Sequence, residues 1–445
     1  MSTPTGEAST SEQVTDQDWI PNALKMVDCF YNYWSNLDET TSDIEYQINS
    51  YIEILDLIPQ EKRQSEYERS IFEYVKGRLY NAIPNVYKEE AERHLVQATE
   101  LNPSLFDAWN HLAMCVAKKG DYQRAKKCLE FVLERDPNSR IILRQLAELE
   151  LMFLPVAEDL AKQLDECIKY AQMTLALDNM DGRCFHLIGS AYLTSFLLTG
   201  GWNYDNLPLA LEAYENAEKI DAMASNANLL YDCAIVNRFL ENYKKSLIGL
   251  SDPELETPSL DASNQVEVTL QLLDKLEGQL QGKSNDKSNN KSKGKSKGKS
   301  KGKSKGKSTE TSVSSLIQSL ATIDLNPSYN RATMDLLTEG LNEGIAVIAA
   351  VRCLVKYKYK APVYYLLCDS NENSFVLLMF GIQKEAIKQG DQVTLLDPFC
   401  KFVDFDWEGK HYQFMSVRVN LLKQVLVNGN AVSPNFAIRE SILLA

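Results

Sequence analysis

The sequence predicts a multidomain chain, an all-α solenoid followed by a small all-β barrel, and three observations carry that prediction. A helical apolar pattern repeats with a period of 34 residues through the first part of the chain. Beyond a Lys-, Gly- and Ser-rich tract at 283–308 the apolar spacing switches from helical to alternating. With 445 residues, 44% hydrophobic and 24% charged, the chain is long and apolar enough for two or three buried cores.

The repeat is read directly. Ala91, Leu95, Ala98 and Pro103 recur 34 positions later as Ala125, Leu129, Val132 and Pro137, and the second unit is led by Trp109, Leu112, Ala113 and Val116 with Gly120 at the turn. Small residues let two antiparallel helices approach, and the proline ends the second one; together these are the marks of a tetratricopeptide repeat (TPR). A further unit begins near Gly182, with Phe185, Ile188, Gly189 and Tyr192, then Ala210, Tyr214 and Ala217 beyond an insertion carrying Gly200, Gly201 and Trp202. Another begins near Ala227, with Ala234, Tyr243 and Leu250 in register. Upstream, 44–57 and 67–79 are expected to supply the first helix pair and a cap, and 265–280 the closing helix. The TPR solenoid is placed at 16–281, after a disordered N-terminus at 1–15.

The tract from Lys283 to Ser308 holds eleven lysines and one acid, Asp286, a net +10. Such a composition buries too little apolar surface to offset ordering entropy, so 282–312 is expected to be a disordered linker, either a self-repelling tether or a polyanion-binding arm. A connecting helical segment is expected within 313–342, and an OB-type β-barrel at 343–445. Five strands are read at 344–356, 363–368, 375–382, 392–396 and 412–419, with a short helical piece at 384–388 after the third and a hairpin turn at Glu408-Gly409. Barrels of this order often stack single-stranded bases on aromatics, which makes Tyr364, Tyr365, Phe375 and Tyr412 candidates. The same residues serve equally as core, and only Lys356, Lys358 and Lys360 lie near them.

Composition excludes much else. The chain carries −14 overall and therefore −24 outside the lysine tract, so its folded parts repel nucleic acid in general. The opening residues lack a signal-peptide pattern, and the longest apolar run, 345–351, is far below spanning length, which together point to a soluble, intracellular protein, expected in the cytoplasm with the nucleus as a further compartment. Nine cysteines form no C-x-x-C pair and read as reduced structural thiols; four histidines have no ligand spacing, so no metal site is expected. G-x-S-x-G, Walker-type and dinucleotide-binding motifs are absent. Neither an enzyme nor a cofactor is expected.

In a stacked solenoid the second, fifth, ninth and twelfth positions of each first helix face inward. Units counted from Phe106, Arg140, Gly182 and Ala227 put Asp107, Asn110, Arg144, Glu148, Leu151, Arg183, His186, Ser190, Asn228, Tyr231 and Arg238 there. A groove of mixed polar groups and cations suits an extended peptide, although several of these residues could simply be solvated.

The stretches at 88–121 (KEEAERHLVQATELNPSLFDAWNHLAMCVAKKGD), 181–192 (DGRCFHLIGSAY) and 411–428 (HYQFMSVRVNLLKQVLVN) resemble the tetratricopeptide repeat protein 5 family, with 326–340 and 364–378 looking closest to plant members. The resemblance implies a non-enzymatic adaptor that recognises the N-terminal peptide of nascent tubulin at the ribosome and recruits mRNA-decay machinery, giving tubulin autoregulation. It also implies a stress-responsive transcriptional coactivator scaffold with a nuclear pool as an alternative; a single-stranded nucleic-acid binder acting through the barrel is a third reading. Where the resemblance implies a ribosome-facing lysine this chain has Glu100. Where it implies an arginine for the peptide's acidic residue it has Leu151, and where it implies an acid for the peptide's arginine it has Asn228.

Overall fold

The computed structural model describes residues 19–34, 41–153, 160–255, 260–281, 316–359, 361–420 and 422–438. The expected disordered N-terminus at 1–15 and linker at 282–312 lie outside these residues. The chain divides into two units, Met1–Met180 and Asp181–Ala445.

Among its described residues the first unit has helices and no strand: α1 Trp19–Trp34, α2 Thr41–Asp56, α3 Glu66–Tyr80, α4 Glu89–Leu101, α5 Phe106–Lys118, α6 Tyr122–Leu133, α7 Arg140–Met152 and α8 Leu160–Leu177. Helices α3–α4, α5–α6 and α7–α8 pair as hairpins. The close approach comes from the small residues that define the repeat: Ala91, Ala98 and Ala125 are all 0% exposed. At Gly77 on α3 a Cβ would stand 2.7 Å from the Leu95 Cγ on α4, so only glycine admits that contact. The α5–α6 turn is a Schellman stop. Gly120 has φ +87°, its N–H reaches the Ala117 carbonyl at 2.9 Å, and the Asp121 N–H reaches that of Val116 at 3.0 Å. Asp121 then starts α6 by accepting from the Arg124 N–H at 3.2 Å.

The upstream helices pair differently from the expected arrangement. Helix α3 starts at a capping box, with Ser65 accepting from the Glu68 N–H and Glu68 accepting from the Ser65 N–H, and its hairpin partner is α4 rather than α2. An unassigned helix, α1, packs on it. Trp19, Ala23, Val27 and Phe30, spaced for one helical face, are buried against α2 and α3.

The second unit continues with α9 Gly182–Leu198, α10 Asn206–Glu218, α11 Ala227–Phe239, α12 Tyr243–Leu250 and the long α13 Ala262–Leu280. On α9 a Cβ at Gly189 would meet the Tyr214 ring at 2.4 Å, which fixes how closely α10 lies. A helical turn at 316–319 leads into a ten-stranded sheet: β1 Asn330–Ala332, β2 Gly340–Leu341, β3 Ile345–Val355, β4 Val363–Asp369, β5 Ser374–Met379, β6 Gln392–Leu396, β7 Phe399–Trp407, β8 Lys410–Val419, β9 Val425–Val427 and β10 Asn430–Ala431. The strands follow one another as β10-β9-β6-β3-β4-β5-β8-β7-β2, with β1 parallel beside β3.

The sheet closes because β6 and β7 are one strand broken at a corner. β6 runs antiparallel to β3, Asp397 turns with φ +47°, and after Pro398 the chain resumes as β7 beside β8, which itself runs parallel to β5. This is OB-type closure. The strand expected at 392–396 is only the first half of that broken strand, β7 is additional to the five expected strands, and the third, expected to reach residue 382, ends at Met379. The expected helical piece is present as a 3₁₀ turn, Lys384–Ala386.

Both faces of β4 and β5 are apolar, and the structure shows why. Val363, Tyr365, Leu367, Phe375 and Leu377 point into the barrel interior, while Tyr364, Val376, Leu378 and Phe380 join a core shared with α9, α11, α12 and α13. The Gly200–Trp202 insertion belongs to the same seam. Gly201, at φ +83°, lies against Phe380, and Trp202 lies on Gly381 and donates from Nε1 to the Ile438 carbonyl at 2.9 Å.

A buried charge group completes the seam. Glu241, 4% exposed in the α11–α12 turn, faces Lys401 on β7 and Arg418 on β8. Lys401 Nζ donates to the Leu240 carbonyl at 2.7 Å and to Asn242 Oδ1 at 2.6 Å, and the Arg418 guanidinium lies 3.4 Å over the Tyr204 ring. Burial raises the Glu241 pKa, opposed by Ser416, Arg418 and Lys401. A carboxyl raised in the fold contributes stability below its unfolded pKa and loses it as pH rises through the folded one. Glu241→Gln is therefore expected to raise the melting temperature at about pH 7.5, with the gain fading at about pH 4, where both forms are neutral. A loss of stability at neutral pH would show that attraction to Lys401 and Arg418 outweighs burial.

Candidate functional site

On the first unit, the side of α5 and α7 left open by the hairpin packing carries a row of side chains at helical spacing. Asn110 and Met114 stand one turn apart on α5; Ile141, Arg144, Gln145, Glu148, Leu151 and Met152 follow along α7. Arg144 Nε lies 3.9 Å from Glu148 Oε1, and Gln145 Nε2 meets Met114 Sδ at 3.8 Å, which ties the two helices together. Four expected groove residues, Asn110, Arg144, Glu148 and Leu151, thus share one face. Met114, Ile141 and Met152 are 42%, 53% and 63% exposed, and the sequence reading did not single them out. Their spacing from Asn110 and Arg144 on a helical wheel is the signal that would have found them.

Beneath this row His111 is structural. Its ring lies among Tyr31 and Tyr74, at 6.2 and 5.8 Å between centroids, and burial followed by the Arg78 and Lys118 charges pushes its pKa down to about 3. The imidazole is neutral across the physiological range. Burial likewise pushes Lys118 down to about 8, while its Nζ donates to the Asn81 and Ile83 carbonyls at 2.6 and 2.8 Å.

Among the expected residues of the second unit, Arg183 and Asn228 are exposed on α9 and α11, and Tyr231 is half-buried. His186 Nε2 lies 3.0 Å from Asp232 Oδ2, a contact between α9 and α11, with the Tyr214 ring 5.6 Å away. Arg238 is a correction: it is 3% exposed, and its Nη1 donates to Gln265 Oε1 at 2.5 Å with the Tyr359 ring nearby. The closing helix α13 and the barrel loop cover it, so it joins elements instead of presenting a charge to a ligand.

Glu100 lies on a different surface, the rim of a cleft of ≈ 580 Å³ lined also by Tyr87, Glu92, Arg93, Lys119 and Arg124. At its centre, burial would raise Glu92, but hydrogen bonds from Tyr87, Lys119 and Arg124 bring it down to about 2. The cleft carries both signs of charge.

The aromatics expected to stack bases are not available for it. Tyr364, Tyr365, Phe375 and Tyr412 are 3%, 0%, 0% and 1% exposed. Tyr365 donates to the Lys384 carbonyl at 3.0 Å and Tyr412 to Asp274 Oδ1 on α13 at 2.8 Å. Tyr365 and Phe375 fill the barrel interior, while Tyr364 on β4 and Tyr412 on β8 lie in the core shared with the helices. Among the described residues, no group of three His, Cys, Asp or Glu side chains is placed to hold a metal ion, and no helix is long and apolar enough to cross a membrane.

Comparison with known proteins adds to this geometry. Residues 328–441 match the model of the tetratricopeptide repeat protein 5 OB fold domain. Tetratricopeptide repeat protein 5 of Mus musculus is 28% identical over 362 residues, covering 80% of this chain and 79% of its own length. The Homo sapiens protein of the same name is 27% identical over 356 residues, with 79% of each covered. A solved TPR protein of Thermus thermophilus overlaps 46% of this chain and 97% of its own at 16% identity, with a TM-score of 0.34.

Proposed function

We propose, for a chain that carries the tetratricopeptide repeat protein 5 OB fold domain and resembles that protein over 80% of its length, that it is a non-enzymatic adaptor holding an extended N-terminal peptide of a nascent chain. The observation that carries this reading is the open face of α5 and α7. There Asn110, Gln145, Arg144 and Glu148 offer hydrogen bonds and both charges between exposed Met114, Ile141 and Met152, the mixture that grips a backbone and a few side chains.

The resemblance names nascent tubulin at the ribosome as the reference ligand, with recruitment of mRNA-decay proteins as the consequence. Leu151 and Asn228 remove the two charges implied for that ligand, so this chain is expected to hold a tubulin N-terminus less tightly than one that keeps both charges, while still telling it from the reversed sequence. Nucleic-acid binding through the barrel aromatics is disfavoured by their burial. In a translating lysate, the full chain is expected to enrich ribosomes displaying a tubulin N-terminus over ribosomes displaying the reversed sequence. Equal recovery of the two would reject the reading.

A further inference from the structure

Among the described residues the outer edge of β7 is open over most of its length. β7 pairs with β8 along its whole length, from Phe399↔Arg418 to Trp407↔Lys410, but on its other edge it meets only the two residues of β2, opposite Phe399 and Cys400. From Lys401 to Trp407 no strand and no backbone–backbone hydrogen bond among the described residues reaches that edge. The strand is held in place from below: Val403 and Phe405, 3% and 8% exposed, pack into the core shared with the helices. Its other face presents Phe402, Asp404 and Asp406 in a period-two row. Phe402 is 43% exposed, and the Asp404 and Asp406 side chains are 42% and 80% exposed.

Free edges are usually blunted by proline, by a bulge or by outward lysines. This one has no proline, its register with β8 is unbroken, and its single lysine, Lys401, turns away to the Leu240 carbonyl. The aspartates are a selective guard. Like charges directly opposite one another destabilise a strand pair, so a second copy of this edge is repelled, while a cationic strand is attracted. His411 on β8 lies 3.0 Å from Asp406 Oδ1 and 3.6 Å from Asp404 Oδ1, and Gln413 Nε2 donates to Asp404 Oδ2 at 3.2 Å. These contacts come from the β8 side and align both carboxylates along the strand without covering its far edge.

We propose that the free edge of β7 accepts an extended basic peptide as an added strand. Arginine or lysine at alternate positions faces Asp404 and Asp406, and an apolar or aromatic side chain faces Phe402. Main-chain hydrogen bonds supply affinity and the alternating side chains supply selection. This surface is separate from the α5–α7 face and does not depend on the reading given above for it.

The test uses the full chain and a capped, fluorescein-labelled peptide with phenylalanine, arginine and arginine at alternate positions and threonine between them, followed by anisotropy. Three results are expected. The peptide binds. The Asp404→Lys/Asp406→Lys variant, whose two side chains are solvent-facing, loses affinity by about tenfold or more. A peptide of identical charge with N-methylated backbone amides fails to bind the unchanged protein, because it keeps the cations and lacks the strand's donors. Equal binding of the N-methylated peptide, or of a control with its arginines adjacent, would reduce the contact to bulk charge attraction and overturn the proposal. So would failure of the first peptide to bind. Amide exchange on the unchanged protein gives a reading free of any folding defect in the variant: protection must rise at 402–407, and protection elsewhere alone rejects the edge.

Discussion

Phe196→Ala is expected to destabilise the second unit by about 3–5 kcal/mol, the range for deleting a fully buried aromatic ring. Phe196 is 0% exposed and meets three rings from separate parts of the chain: Tyr204 in the α9–α10 turn, Phe239 on α11 and Phe380 after β5, at 6.3, 5.5 and 5.1 Å between centroids. Alanine would leave a void at the point where helix and barrel share a core, and the neighbours are too constrained to close it. Gly201 and Gly381 already hold Phe380 and Trp202 at contact distances a Cβ would forbid. Denaturant unfolding with near-ultraviolet dichroism checks the value, and Phe196→Leu should recover much of the loss. A change below about 1 kcal/mol for alanine would mean that the seam contributes little to stability.

The second large effect concerns affinity. Leu151→Arg combined with Asn228→Asp should tighten binding of a tubulin N-terminal peptide by about a thousandfold or more, because each desolvated charge pair restored is worth about 2–5 kcal/mol, tens- to thousands-fold on its own. The single Leu151→Arg change should give less than its share. Glu148 lies three residues earlier on the same face of α7, so an arginine at 151 can fold back on it before meeting a ligand. Titration calorimetry at two salt concentrations separates the cases, since a gain made of charge pairs weakens as salt rises. No gain in the double variant would show that these two positions do not set the preference.

The helices were legible because their signals are local. Ala91, Leu95, Ala98 and their counterparts one period later are buried as the repeat requires, and Gly120 turns with the positive φ the repeat expects. Helix α1 carries an equally regular face, Trp19, Ala23, Val27 and Phe30, but lies outside the repeat and so escaped it. Barrel closure was harder to read. Asp397 and Pro398 look like the end of a strand, whereas a corner there turns one strand onto two partners, a fact set by pairing far along the chain at Phe399↔Arg418.

The site shows the same division. Asn110, Arg144, Glu148 and Leu151 follow from helical geometry alone, while Arg238 satisfies the same geometry and is covered by α13, an element whose docking no spacing within α11 announces. Tyr364 and Tyr365 are consecutive, so at least one had to face outward from the barrel. What the sequence could not say is that the outside of β4 is itself another interior.

That shared interior decides where the protein can be cut. The homologous domain begins at 328, yet a fragment starting there would bare Tyr364, Val376, Leu378, Phe380, Phe405, Tyr412 and Phe414 to water, an oily flank of the kind that drives proteins to clump. The physical module begins at Asp181 and takes five helices with it. A cut at the apparent boundary would leave an apolar flank on both pieces, so barrel and helices are expected to fold as one piece.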